Sequence, residues 1–248
     1  MRFDVITLFP EMFVPFFESG VTRRAFESKQ VDVRTWNPRT FALGNYHRVD
    51  DRPFGGGPGM VMMAEPLAQA LSAVKQERDD GAQVVLFSPV GERLTQEGVM
   101  AWAQSEGAVL VCGRYEGVDQ RFIDRHVDVQ ISLGDFVLSG GELAAMALLD
   151  AVARLLPGVL HHADSSHMDS FSPGLDGLLD CHHFTRPEEW GGMPLPAVLL
   201  SGNHAQIARW RRERSLELTA RTRPDLIAAV RAKGLLDKAD EAFLAACK

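Results

Sequence analysis

Residues 131–142, ISLGDFVLSGGE, set three glycines (Gly134, Gly140, Gly141) and two carboxylates (Asp135, Glu142) between an apolar strand exit and a helix-forming segment. Glycine leaves no side chain to hold a ligand away, so backbone amides and carbonyls lie bare there. A second glycine-carboxylate turn, CGRYEG at 112–117, follows the apolar run 109–111. Alone, the first loop could be an ordinary tight turn before a helix. Two such strand-end loops point instead to one small-molecule pocket at the carboxyl ends of a parallel sheet.

The elements that must position these loops alternate along residues 1–155 or so. Strands are predicted at 3–7, 31–36, 83–88, 108–112 and 126–131, with helices at 10–19, 21–28, 65–77, 95–104 and 141–155. Strands interleaved with helices imply parallel pairing, helices on both faces and an α/β class. Residues 50–59, DDRPFGGGPG, are too rich in glycine and proline for regular structure. From 157 to 196 the periodicity breaks down. Helices are then predicted at 203–220, 224–232 and 238–246, the first capped by Ser201 or Asn203 and the second opened by Pro224. This gives an α/β domain at 1–160, a linker at 161–177 and a helical domain over 178–248.

At 248 residues, with 46% hydrophobic and 24% charged residues, the composition is that of a globular protein. No apolar run reaches the ~18 residues of a membrane span. Met1 leads straight into a strand pattern without a secretory signal. The three cysteines, Cys112, Cys181 and Cys247, form no CxxC, which argues against a disulfide framework or zinc site and for a cytoplasmic protein. Net charge is −7, yet residues 201–233 carry eight basic side chains against three acidic ones. Such asymmetry suggests a polyanion partner.

The fingerprints of common nucleotide sites are missing: no P-loop ending follows 50–59, and no GxGxxG occurs. His161, His162, His167, His182 and His183 invite a metal reading, but no HExxH accompanies them, and solvated loop histidines are the better account. No metal ligands are assigned.

Six ordered segments resemble bacterial tRNA (guanine-N1)-methyltransferases of the SPOUT superfamily: ITLFPEMF (6–13), DDRPFGGGPGM (50–60), CGRYEGVDQR (112–121), GDFVLSGGEL (134–143), ARLLPGVL (153–160) and LLSGNHAQIARWRRERSL (199–216). The resemblance implies a trefoil-knotted α/β domain, which no general rule of topology would predict. It implies that S-adenosylmethionine binds in bent form, with its main contacts at Gly113 and at Leu133, Gly134, Asp135, Phe136, Val137 and Leu138. Leu86, Phe87, Ser88, Pro89, Tyr115, Glu116, Gly140 and Gly141 would line the same pocket. Arg154 and Asp169 match the family's catalytic pair, and the acceptor would be N1 of the guanosine immediately 3′ of the tRNA anticodon. A homodimer is implied as well, with the cofactor site at the subunit interface, and Mg²⁺ assistance follows only by family analogy. The chain departs from the family pattern at Ala144, where proline is usual, and at Phe136 and Leu86, where tyrosine is frequent. Met168 replaces a frequent acid, and 172–177 runs a few residues longer.

Transfer of a methyl group from a sulfonium is a displacement in which the protein mainly aligns donor and acceptor. Guanine N1 carries a proton, so a base must remove it; Asp169 suits that role, and Arg154 could stabilise charge developing on O6. Read by themselves, Asp169 is a loop-capping carboxylate and Arg154 a solvated helix-end cation. Glu116 either accepts from the cofactor's amino group or caps the next helix. Asp50 and Arg52 either touch RNA or belong to a salt-bridged surface turn. Arg209, Arg211 and Arg212 fit an amphipathic helix with Ile207 and Trp210 buried and the arginines wet, an arrangement that could face RNA phosphates. The competing readings are a nucleotide-dependent oxidoreductase and a non-catalytic RNA-binding module. The first lacks its glycine fingerprint, and the second would need a damaged catalytic pair.

Overall fold

In the computed structural model, which describes residues 1–161 and 166–247, five strands pair in parallel. These are β1 (Arg2–Ile6), β2 (Asp32–Trp36), β5 (Val84–Arg93), β6 (Gly107–Val111) and β7 (Val129–Ser132), in the order β2-β1-β6-β5-β7. The α/β expectation is borne out. Period-two alternation sorts the side chains between two layers. Val85, Phe87, Ala108 and Leu110 face one core with Leu148 and Val152, whereas Val84, Leu86, Val109 and Val111 face the other with Leu67, Leu71 and Phe122. The central strands therefore read as continuous apolar runs, because they are covered on both sides.

Helix α6 (Glu142–Ala153) backs the first core, burying Ala145, Leu148, Leu149 and Val152 at helical spacing, with α4 (Gln96–Ala103) beside it. The second core is covered by α3 (Ala64–Glu77) and α5 (Gln120–His126). Near the amino end of the sheet, buried Asp4 accepts from Arg2, Trp36 and Arg78, and Arg78 also binds Asp80 at 2.6 Å.

The structure corrects several boundaries. The predicted helix at 10–19 is a 3-10 turn, Pro10–Phe13, followed by a short α1 (Val14–Glu18), and the one at 21–28 contracts to α2 (Arg23–Glu27). The predicted strand at 126–131 starts three residues late, because His126 closes α5. Residues 50–59 are not wholly irregular: β3 (Asp50–Asp51) and β4 (Val61–Met62) pair in an antiparallel hairpin whose turn holds the glycines. Strand β5 continues past Ser88 to Arg93 with a shifted register, Ile131 facing both Phe87 and Glu92, so residues 88–91 are extruded at the sheet's edge.

The chain divides into two compact units, Met1–His161 and His162–Lys248. The described part of the second contains a small hairpin of β8 (Glu189–Trp190) and β9 (Met193–Pro194) and three helices, α7 (His204–Thr222), α8 (Pro224–Ala232) and α9 (Lys238–Ala246). Leu178, Leu216, Ile227 and Val230 form its core. Asn203 caps α7 by accepting from the Gln206 amide, as its residue type predicts. Among the described residues no helix is long and apolar enough to cross a membrane.

Candidate functional site

Three segments meet at the ends of β6 and β7 and at the irregular middle of β5, and they enclose a cavity of about 480 Å³. The first wall is Leu86, Phe87, Ser88 and Pro89; the second is Gly113, Tyr115 and Glu116; the third is Leu133, Gly134, Phe136, Val137, Leu138, Gly140 and Gly141. The size is that of a small-molecule site, and its position is the one expected for an open α/β sheet. Asp135 is the exception among the predicted lining residues. Its side chain is 94% exposed and pairs with Arg93 at 3.1 Å, because the turn around Gly134 carries it outward.

The second and third walls cross each other closely. Arg114 and Gly140 form an antiparallel bridge, and the Gly141 amide donates to the Gly113 carbonyl at 2.9 Å. A Cβ on Gly141 would lie 2.8 Å from the Cys112 Cα, so only glycine permits the approach. Gly134 is held by Ser132, whose hydroxyl accepts from its amide at 3.2 Å.

The hairpin of β3 and β4 supports the second wall. The Glu116 amide donates to the Met60 carbonyl at 3.0 Å and the Met62 amide to the Gly117 carbonyl at 2.9 Å. Glu116 does not cap the next helix: α5 is capped by Asp119, which accepts from the Arg121 amide at 2.9 Å. Tyr115 adopts a left-handed backbone, φ 61°. Its phenol is pushed above the usual range first by burial and then by the nearby Asp50 carboxylate. Asp50 thus stands beside the pocket rim, while Arg52 is exposed and the local ion pair of the turn is Arg48–Asp51.

The profile of the family described as tRNA (Guanine-1)-methyltransferase TrmD matches residues 1–229. The chain belongs to that family. It is 68% identical to the tRNA (guanine-N(1)-)-methyltransferase of Albidiferax ferrireducens, over 99% of each chain. It is 67% identical to the tRNA (guanine-N(1)-)-methyltransferase of Paracidovorax citrulli, over 99% of this chain and 98% of the relative. A protein of the same name from Burkholderia ambifaria is 55% identical over 99% and 93%.

In this member of the tRNA (guanine-1)-methyltransferase family, Arg154 is the half-buried residue that closes α6 in the first unit. Asp169 is half-buried in the second unit, on a turn where its carbonyl accepts from the Ser172 amide at 3.1 Å and the Ser172 hydroxyl at 2.6 Å. Of the candidate RNA arginines, Arg211 is exposed. Arg209 and Arg212 are half-buried and ion-paired: both bind the buried Asp240, at 2.8 and 2.9 Å, and Arg212 also binds Asp176 at 2.9 Å. Trp210 is only half-buried, against Phe184 at 6.1 Å between ring centres.

Among the described residues no group of three or more histidines, cysteines or acids could hold a metal ion. His161, His167, His182 and His183 are exposed, and His183 pairs with Asp180 at 2.9 Å. His162 and part of the predicted linker lie outside the described residues. Sequence reasoning missed Arg114, Ser132, Ser139 and Ala144 as pocket residues. For Arg114 the signal was present in CGRYEG, a cation flanked by the pocket's own glycine and tyrosine.

Proposed function

We propose that this protein transfers a methyl group from S-adenosyl-L-methionine to N1 of guanosine at position 37 of tRNA, immediately 3′ of the anticodon. The observation that carries this reading is the pair of crossed glycine loops around a 480 Å³ cavity in a chain that matches the family over residues 1–229. The reading includes the trefoil knot that the family resemblance implies.

S-adenosylmethionine, when bound, supplies an electrophilic methyl group. The bare backbone of 133–138 and of Gly113 holds its polar parts, and Leu86, Phe87 and Pro89 give it an apolar wall that excludes water. The carboxylate of Asp169 accepts the N1 proton of the target base, and the Arg154 guanidinium stabilises the charge that moves to O6. Residues 1–160 form the donor-binding domain, 161–177 the segment that carries the base, and 178–248 the tRNA-binding domain. Asp50, Arg52 and Arg211 are exposed or half-exposed and meet the RNA, whereas Arg209 and Arg212 build the helical unit.

The working form is a homodimer in the cytoplasm. Its support is the pocket rim, which leaves Val90, Phe136 and Val137 at 80%, 55% and 87% exposure, an apolar edge that a second subunit would cover. The test is methyl transfer from labelled S-adenosylmethionine to unmodified tRNA, followed by identification of the product nucleoside. Formation of 1-methylguanosine, lost when the target guanosine is replaced by adenosine, is the expected result. Label in any other nucleoside overturns the reading.

A further inference from the structure

Beneath the crossing of the two pocket loops lies an ionic arrangement that the proposed chemistry does not use. Glu142, the first residue of α6, is completely buried. One carboxylate oxygen accepts from the Thr7 hydroxyl at 2.8 Å, and the other stands 2.9 Å from the Nε of Arg114. The Nε–H is not aimed along that line, and neither of these two buried atoms has a hydrogen-bond partner. Arg114 reaches further: one terminal nitrogen donates to the Ser139 carbonyl at 3.2 Å, and its guanidinium lies 4.4 Å from the centre of the Phe9 ring.

A buried ion pair with poor hydrogen-bond alignment is a weak source of stability, because desolvation offsets its attraction. Its position is more telling than its energy. The pair occupies the space over Gly140, where a Cβ would meet the Arg114 side chain and stand 2.6 Å from the Glu142 carboxylate. Arg114 belongs to the second pocket wall and Ser139 to the third, while Glu142 stands behind the third at the start of α6 and Thr7 follows the end of β1.

We propose that Arg114 and Glu142 act as a positioning pair that sets the separation of the second and third pocket walls, and with it the affinity for the methyl donor. Neither group touches the reacting atoms. Arg114 fastens one wall to the other, and Glu142 fixes Arg114 from the start of α6, where the helix dipole favours a carboxylate. This inference rests on the proposed use of the cavity for S-adenosylmethionine.

The experiment compares wild type, Arg114→Met, Arg114→Lys, Glu142→Gln and the double variant Arg114→Met/Glu142→Gln. Calorimetry gives affinities for S-adenosylmethionine and for 5′-methylthioadenosine, which lacks the amino-acid part. Single-turnover transfer is measured at saturating donor and tRNA. Amide exchange is followed at Gly140 and Gly141. Arg114→Met is expected to weaken both ligands equally, by roughly tenfold or more, with single-turnover rate within about twofold of wild type. The two amides should lose protection, and the double variant should be little worse than either single one. Arg114→Lys, which keeps charge but cannot span Glu142 and Ser139 together, should fall between, and it serves with Glu142→Gln if Arg114→Met does not fold. Unchanged affinity and protection in the folded variants overturn the inference. So does additive loss in the double variant, a loss confined to the ligand with the carboxylate, or a collapse of the single-turnover rate. Failure of wild type to bind the donor would instead overturn the proposed function.

Discussion

Glu116 lays its side chain over the bare Cα of Gly59: a Cβ there would stand 2.8 Å from the Glu116 carboxyl carbon. The glycine-rich turn at 50–59 is therefore part of the pocket's construction, because it seats a lining carboxylate. Gly59→Ala should displace Glu116 and weaken donor binding. It also forces an L side chain to φ +75°, at a cost of about 1–2 kcal/mol. Gly20→Ala separates the two effects, since Gly20 has φ +74° with nothing within 4 Å of the added Cβ. Both variants should lose similar thermal stability, but only Gly59→Ala should lose donor affinity by calorimetry.

Asp169→Asn should reduce single-turnover transfer by ~10²–10⁴-fold while leaving donor affinity nearly unchanged, because a general base acts on the acceptor. Arg154→Ala should also lose rate, and Arg154→Lys should regain part of it through charge alone. A near-normal rate in Asp169→Asn would remove this residue from the mechanism.

Arg211→Ala should weaken tRNA binding and lower the salt dependence of affinity by about one counterion, the signature of a lost phosphate contact. Arg212→Ala should instead destabilise the helical unit by about 1–3 kcal/mol, since it withdraws one of two cations from the buried Asp240. Melting curves and binding isotherms over a salt series distinguish the two outcomes. Equal salt slopes for Arg211→Ala and wild type would count against Arg211 as an RNA contact.

Stability should fall in acid partly through Asp80, whose carboxyl is held down to about 2 from 3.8, chiefly by its hydrogen bond from Arg78. A folded value below the unfolded one means that this contribution is complete above roughly pH 4 and disappears as pH falls through about 2. Asp80→Asn should lower stability at neutral pH by under ~1 kcal/mol, the side chain being partly exposed, and should flatten the acid limb of a denaturation series.

The sheet and the two glycine loops were legible because apolar runs and glycine turns are local signals, whereas the fourteen predicted lining residues that face one cavity came from the family resemblance. Reading Gly140 and Gly141 as room for a ligand finds the right loops for an incomplete reason: Arg114 with Glu142 and the Cys112 backbone fill the space beside them. Those neighbours are distant in sequence, so periodicity cannot announce them. Helix α5 escaped because seven residues with one apolar turn give no clear period, and the hairpin at 50–62 because each strand is two residues long. Arg209 and Arg212 looked free because Asp240, which engages both, lies a helix away.

The extruded residues 88–91 have a further consequence. The chain leaves β7 at Phe87 and rejoins it at Glu92, and Gly91 presses so closely on the neighbouring strand that a Cβ would lie 2.6 Å from the Gln130 carbonyl oxygen. This wall is anchored at both ends by the sheet itself, so its configurational entropy is surrendered during folding and not on ligand capture. A donor entering the cavity meets a template there, and its affinity need not be spent on organising that side. Backbone order parameters of Ser88, Val90 and Gly91 should accordingly change little when the pocket fills.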